Sequence, residues 1–151
     1  MTGSMEAAVL LKGLFAGVSA TAAMLLVEAP AWKLWGLPGV MEWQENQVIA
    51  ERVLHRPRET LVAPGLIFHF LHGCLAGIVF AIVVSIMTLG LPVPLLGVGY
   101  ALLLWIIGLV IFKPIIGKRI PGDRSGRIAI SVNLAGHLVY GTVLGLLMVP
   151  L

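Results

Sequence analysis

Four long apolar runs dominate the chain, at about 7–29, 61–89, 95–112 and 128–149, separated by polar or proline-containing stretches. Each reaches the roughly 17 residues or more that an α-helix needs to cross a hydrocarbon layer. Between the first two, Val40–Leu54 places Met41, Val48, Ile49 and Val53 roughly on one helical face and Glu42, Glu45, Glu51 and Arg52 elsewhere. That pattern predicts a short helix lying at a membrane interface over about 40–54, with Glu42 and Glu45 on its wet face. Leu37-Pro38-Gly39, Gly90-Leu91-Pro92-Val93-Pro94 and Ile120-Pro121-Gly122 read as turns. Trp32 and Trp35 suit an aromatic belt, Thr60 an N-cap for the second span, and Lys113-Pro114 a stop for the third.

Composition agrees with the pattern. Of the 151 residues 59% are hydrophobic and 11% charged, with mean hydropathy +1.02. Soluble domains carry about a quarter charged residues, so this chain cannot cover a water-facing surface. The predicted fold class is all-α: a polytopic membrane protein in which one domain, 1–151, forms a four-transmembrane-helix bundle with a short cytoplasmic interfacial helix. Lys12 interrupts Ala7–Leu11 and the apolar run then continues too long for a signal peptide.

The net charge of +3 and pI near 9.4 change meaning once located. Lys33, Arg52, Arg56 and Arg58 lie in the first connection, and Lys113, Lys118, Arg119, Arg124 and Arg127 in the third. Nine of the ten basic residues thus share one side, Lys12 being the exception. The positive-inside rule makes that side cytoplasmic, with both termini extracytoplasmic, in a cell inner (plasma) membrane. The basic balance then needs no nucleic-acid partner. Cys74 is the one cysteine, which excludes an internal disulfide and a Cys-pair metal site.

The candidate chemistry sits in the second and fourth runs. His69-Phe70-Leu71-His72-Gly73-Cys74-Leu75-Ala76-Gly77 and His137-Leu138-Val139-Tyr140-Gly141-Thr142-Val143-Leu144-Gly145 share the pattern His-x-x-[His/Tyr]-Gly-x-x-x-Gly. Together with Pro30…Pro38-Gly39 and Pro114…Pro121-Gly122, the recurrence suggests a parallel repeat of two hairpins. Gly13/Gly17, Gly73/Gly77 and Gly141/Gly145 are predicted helix-packing faces. They leave a homo-oligomer or a larger membrane complex open as partners besides the lipid bilayer.

At 1.5 Å per residue, His69 lies roughly 12 Å, His72 roughly 16 Å and His137 roughly 14 Å along their helices from the cytoplasmic starts. Glu28 falls roughly 6–10 Å below the tryptophan belt, and Asn133 lies one turn from His137. These residues are therefore predicted to occupy one slab of the bilayer, where a carboxylate costs about 2.5–3.5 kcal/mol and must find a partner. Four readings fit them. Glu28, His69, His72 and His137 are suitable Zn or Fe ligands. His69 and His137 could ligate a b-type haem. Glu28 with neutral histidines could relay protons or small ions. Interhelical hydrogen bonds that only fix packing need no chemistry at all. Tyr140, in the place of His72 in the second copy, supports the cluster or lies at a helix interface. There is no phosphate loop, nucleophile elbow, His-Glu-x-x-His or dinucleotide fingerprint, which leans away from an enzyme.

The His-x-x-x-Gly-x-x-x-Gly pattern and His137-Leu138-Val139-Tyr140-Gly141 resemble the small uncharacterised four-helix inner-membrane proteins of prokaryotes of the YagU-like kind. In that group an early small-residue span, a Gly-x-Pro turn and late His…Tyr-Gly helices recur. The resemblance implies a four-helix membrane protein and carries no activity.

Overall fold

A computed structural model describes residues 2–35, 42–87, 90–117 and 124–149. The chain is all-α there. Helix α1 spans Thr2–Trp35, α2 Glu42–Leu54, α3 Val62–Ile86, α4 Val93–Ile115 and α5 Arg124–Met148. Helices α1, α3, α4 and α5 each contain a stretch long and apolar enough to cross a membrane. Their outer faces are apolar too: Phe15, Leu26, Ile86 and Val110 are each more than two-thirds exposed.

Glycine decides which helices pair. In α1 and α3 the steps Gly13/Gly17 and Gly73/Gly77 face each other. A Cβ built on Gly77 would come within 2.7 Å of Gly17 Cα, and one on Gly13 within 2.8 Å of the Gly77 carbonyl. Helices α4 and α5 meet the same way: a Cβ on Gly97 would lie 2.9 Å from Gly145 Cα, and one on Gly141 2.6 Å from Ala101 Cβ. Without side chains in between, the backbones approach until dispersion contacts are made along the whole crossing, which is how helices associate where lipid removes the hydrophobic drive. The two pairs join where α1 packs on α5. There Met24 and Glu28 of α1 rest on Gly136 of α5, and Lys12 donates from its ammonium to the Val149 carbonyl (3.0 Å). The isolated lysine thus answers the open carbonyls of a helix C-terminus.

Helices α3 and α4, though consecutive, hardly touch. Tyr100 spans the gap between them, donating its hydroxyl to the Ala76 carbonyl (3.0 Å) and laying its ring against Phe80 at 5.3 Å. Helices α1 and α5 therefore form the back, and α3 and α4 the flanks, of a space that α2 closes at one end.

Several element ends differ from expectation. Helix α1 continues through Pro30 to Trp35 instead of stopping near residue 29; the hydrogen bond lost at a proline does not end a helix in apolar surroundings that keep the rest of its ladder intact. The third span likewise runs past Lys113-Pro114 to Ile115, by widening. Gly108–Phe112 is a π-helical turn in which the Lys113 N–H reaches the Gly108 carbonyl, relieving the helix just before the proline ring. Thr60 does not cap α3: its hydroxyl turns back to the Pro57 carbonyl (2.8 Å), and Leu61 holds the N-cap position. The side chains of Trp32, Trp35 and Glu42, and the turns predicted at 37–39 and 120–122, lie outside the described residues.

Candidate functional site

The space between α3 and α4 is a cavity of about 370 Å3, open to the exterior, at the lower end of the 300–1,000 Å3 typical of small-molecule sites. All five helices contribute. Helix α3 supplies His69, His72, Leu75 and Val79, and α4 supplies Tyr100, Leu104, Phe112 and Lys113. Thr21 and Met24 of α1 and Asn133, His137 and Tyr140 of α5 form the back, and Glu45 and Asn46 of α2 close the end. The arrangement is graded. From Tyr100 to Lys113 the groove runs roughly 20 Å at the helical rise. Leu75, Val79 and Leu104 line one part, while His72, Asn46, Glu45 and Lys113 cluster at the α2 end.

The sequence places the polar groups on these helices and packing orients them. His137 is buried and donates Nδ1–H to the Asn133 carbonyl one turn earlier (2.9 Å). Tyr140, one turn later, is buried and donates its hydroxyl to the Gly73 carbonyl of α3 (2.9 Å). A Cβ on Gly73 would overlap the Thr21 hydroxyl of α1, so the glycine also makes room for that helix. His72 is on the exposed side of α3; it donates Nδ1–H to Asn46 Oδ1 (3.0 Å) and meets the Phe112 ring edge-on at 6.2 Å. His69 is buried beside them.

Of the predicted cluster, then, His69, His72, Asn133, His137 and Tyr140 share one cavity. Glu28 does not line it. It is completely buried in the α1–α5 seam, where a Cβ on Gly136 would lie 2.7 Å from its Oε1. Among the described residues no three His, Cys, Asp or Glu side chains come together in a way that could hold a metal ion. Glu28 therefore lies apart from the cavity that His69, His72 and His137 line. Residue spacing estimates height along a helix but not azimuth around it, and the Glu28 carboxylate lies against Gly136 of α5. Gly13, Gly17, Gly73, Gly77, Gly141 and Gly145 all lie at helix crossings.

Two polar residues of the cavity wall, Glu45 and Asn46, were not part of the cluster predicted from the sequence. Glu45 was expected in water, yet it is 5% exposed and paired with Lys113 of α4. Asn46 and Gln47 are buried beside it, and Gln47 Nε2 donates to the Arg58 carbonyl (3.2 Å). Helix α2 therefore buries Glu45, Asn46 and Gln47 together with Val48 and Ala50 and leaves Val53 and Leu54 exposed, so Glu45 does not lie on a wet face as predicted. The cavity end is polar, and α2 docks against it with the groups that match. The signal was the run Gln44-Glu45-Asn46-Gln47, too polar for its apolar surroundings unless it meets polar partners. Arg52 fastens the helix by donating to the Ile115 (3.2 Å) and Ile116 (2.9 Å) carbonyls at the end of α4. Cys74 is half-buried and forms no disulfide.

Residues 7–151 match a family described as one of unknown function, DUF6789, and the chain belongs to it. The match carries nothing specific to the YagU-like proteins, so of that resemblance only membership of an uncharacterised family stands. No curated protein and no solved structure matches the chain.

Proposed function

We propose that this member of the DUF6789 family is a multi-pass membrane protein that binds an amphipathic molecule drawn sideways from the bilayer. The observation that carries the reading is the graded cavity: polar at the α2 end, apolar toward Tyr100, and open between two helices that hardly touch. In a membrane that opening faces lipid. A molecule can slide in from the hydrocarbon without desolvating its chain, and its head meets the polar groups gathered at the α2 end. By the distribution of basic residues, the polar end lies on the cytoplasmic side and both termini lie outside. Helix α2, with Val53 and Leu54 exposed, rests at that interface.

Native mass spectrometry of the protein released from membranes tests this. The expected result is a non-covalent adduct of one small amphiphile per chain, lost in Leu104→Trp, which fills the apolar part of the groove. An adduct indifferent to Leu104→Trp, or none, defeats the reading. A Soret band, or stoichiometric metal lost in His69→Ala, would replace it with the haem or the metal reading.

A second reading, in which the polar groups only fix helix register, draws on the bonds from Tyr140 to Gly73 and from His137 to Asn133. It expects Tyr140→Phe to loosen the fold, by about 0.6 kcal/mol on average for such bonds in membranes, with no bound molecule to lose.

A further inference from the structure

The two glycine-faced crossings match position by position. Gly73 of α3 stands over Thr21 of α1, and Gly77 over Gly13 and Gly17; Gly141 of α5 stands over Ala101 of α4, and Gly145 over Val93 and Gly97. Gly17 thus answers to Gly97, Thr21 to Ala101 and Gly73 to Gly141. With the helices matched in this way, the contact of α1 with α5 has a counterpart in that of α4 with α3. The first is closed and the second open: α1 packs along α5, whereas α3 and α4 hardly touch.

Side-chain size separates the two. In the closed seam Met24 and Glu28 rest on Gly136, one turn beyond Ala20, which is completely buried. At the same spacing along α4, the counterparts of Ala20, Met24 and Glu28 are Tyr100, Leu104 and Gly108, all three on the groove wall. Along α3 the counterpart of Gly136 is Phe68. Leucine for methionine keeps the volume and Gly108 is smaller than Glu28, so neither forbids closure. An aromatic ring in place of Ala20, and another in place of Gly136, do forbid it, because helix backbones approach closely in lipid only across small residues. Tyr100 is also fixed where it stands. Its hydroxyl donates to the Ala76 carbonyl (3.0 Å) and its ring lies against Phe80 at 5.3 Å, so it leaves the gap only by giving up both.

We propose that Tyr100 is a spacer, with Phe68 as its partner in that role: their rings keep α3 and α4 from closing as α1 and α5 do, and the groove is the space they hold open. The two residues thereby set the width of the site. The spacer role itself concerns helix packing; its bearing on a bound molecule rests on the groove being a ligand site, and the experiment keeps the two apart.

Distances between spin labels decide the matter. Leu71 of α3 and Leu103 of α4 are 56% and 53% exposed. In a Cys74→Ala background both are replaced by labelled cysteines, and pulsed electron paramagnetic resonance reads their separation in nanodiscs. A second pair, Leu26→Cys and Leu138→Cys, reports on α1 and α5. Tyr100→Ala combined with Phe68→Ala is expected to shorten the α3–α4 distance, toward the about 8–10 Å between the axes of packed helices, and to leave the α1–α5 distance unchanged. Each single alanine variant should give part of the shift, which keeps the test decisive if the double variant does not fold. Tyr100→Phe keeps the ring and loses only the hydroxyl bond, so its distances should be those of the wild type. An unchanged α3–α4 distance in folded Tyr100→Ala overturns the spacer role, and so does an equal shift in Tyr100→Phe, which would assign the width to the bond. The amphiphile adduct expected of the wild type should be lost in the closed variant. Closure in the variant without any adduct in the wild type defeats the ligand reading and leaves the spacer standing; an adduct kept in full by the closed variant likewise defeats the groove as its site.

Discussion

Gly77 and Gly99 both sit inside long helices, but an added methyl group would have different consequences at each. At Gly77 it would press on the Gly17 backbone at 2.7–2.9 Å, whereas at Gly99 nothing lies within 4 Å. Gly77→Ala should therefore force α1 and α3 apart and cost about 1–3 kcal/mol, as overpacking does. Gly99→Ala should be neutral or add up to about 1 kcal/mol by restricting the unfolded chain. Thermal unfolding of the two variants in detergent checks the contrast. The Glu45–Lys113 pair offers a second test at this scale. Lys113→Ala leaves a buried carboxylate and should cost about 3–5 kcal/mol, while Glu45→Gln combined with Lys113→Met removes both charges and should recover most of it. The sequence made the histidines and packing glycines legible because each type is expensive or purposeful inside a membrane. Glu45 was not legible, because an acid on a mixed helix reads as solvated until its partner, 68 positions away, is known.

Among the elements, the four long helices and α2 could be read from hydropathy alone, and their boundaries could not. Pro30 and Pro114 both signalled endings, and the chain passes through each as helix, at Pro114 by the π-helical turn that lengthens the loop of the ladder ahead of the ring. Apolar surroundings penalise an open backbone more than a strained helix, which overrides the local preference that a proline expresses. The face that α2 turns inward was also hidden, since its apolar and polar sides are weakly separated and the choice is made by the cavity it closes. Arg52 should matter more than an exposed arginine usually does. Arg52→Ala removes two charged hydrogen bonds from the end of α4, worth about 1.5–3 kcal/mol each where water is excluded and less at this partly exposed site. Hydrogen exchange should rise at residues 115–117 and across α2, leaving α1 and α5 protected; uniform exchange throughout would contradict that docking role.

For the whole molecule, the charge distribution predicts an orientation that chemistry can check. In a Cys74→Ala background, Leu91→Cys and Arg56→Cys lie at exposed positions on opposite sides of the predicted bilayer. A membrane-impermeant maleimide added to intact cells should label Leu91→Cys and spare Arg56→Cys until the cells are opened; the reverse pattern would invert the topology. Helix pairing at this scale was partly legible. The recurrence of His…Gly-x-x-x-Gly marked two equivalent crossings, but only packing reveals that each closes within its own half of the chain, α1 on α3 and α4 on α5.

That pairing bears on how the polypeptide can be divided. The covalent link between α3 and α4 joins two helices that hardly touch, so it contributes connection and little cohesion. Two separate chains, one ending after Met87 and the other beginning at Gly90, would each carry a complete glycine-faced hairpin together with half of the α1–α5 seam. Expressed together, they should find each other in the membrane and co-purify as one assembly with the groove intact. A split placed instead between α1 and α3 would divide one of the two glycine-faced crossings and should leave fragments that are degraded.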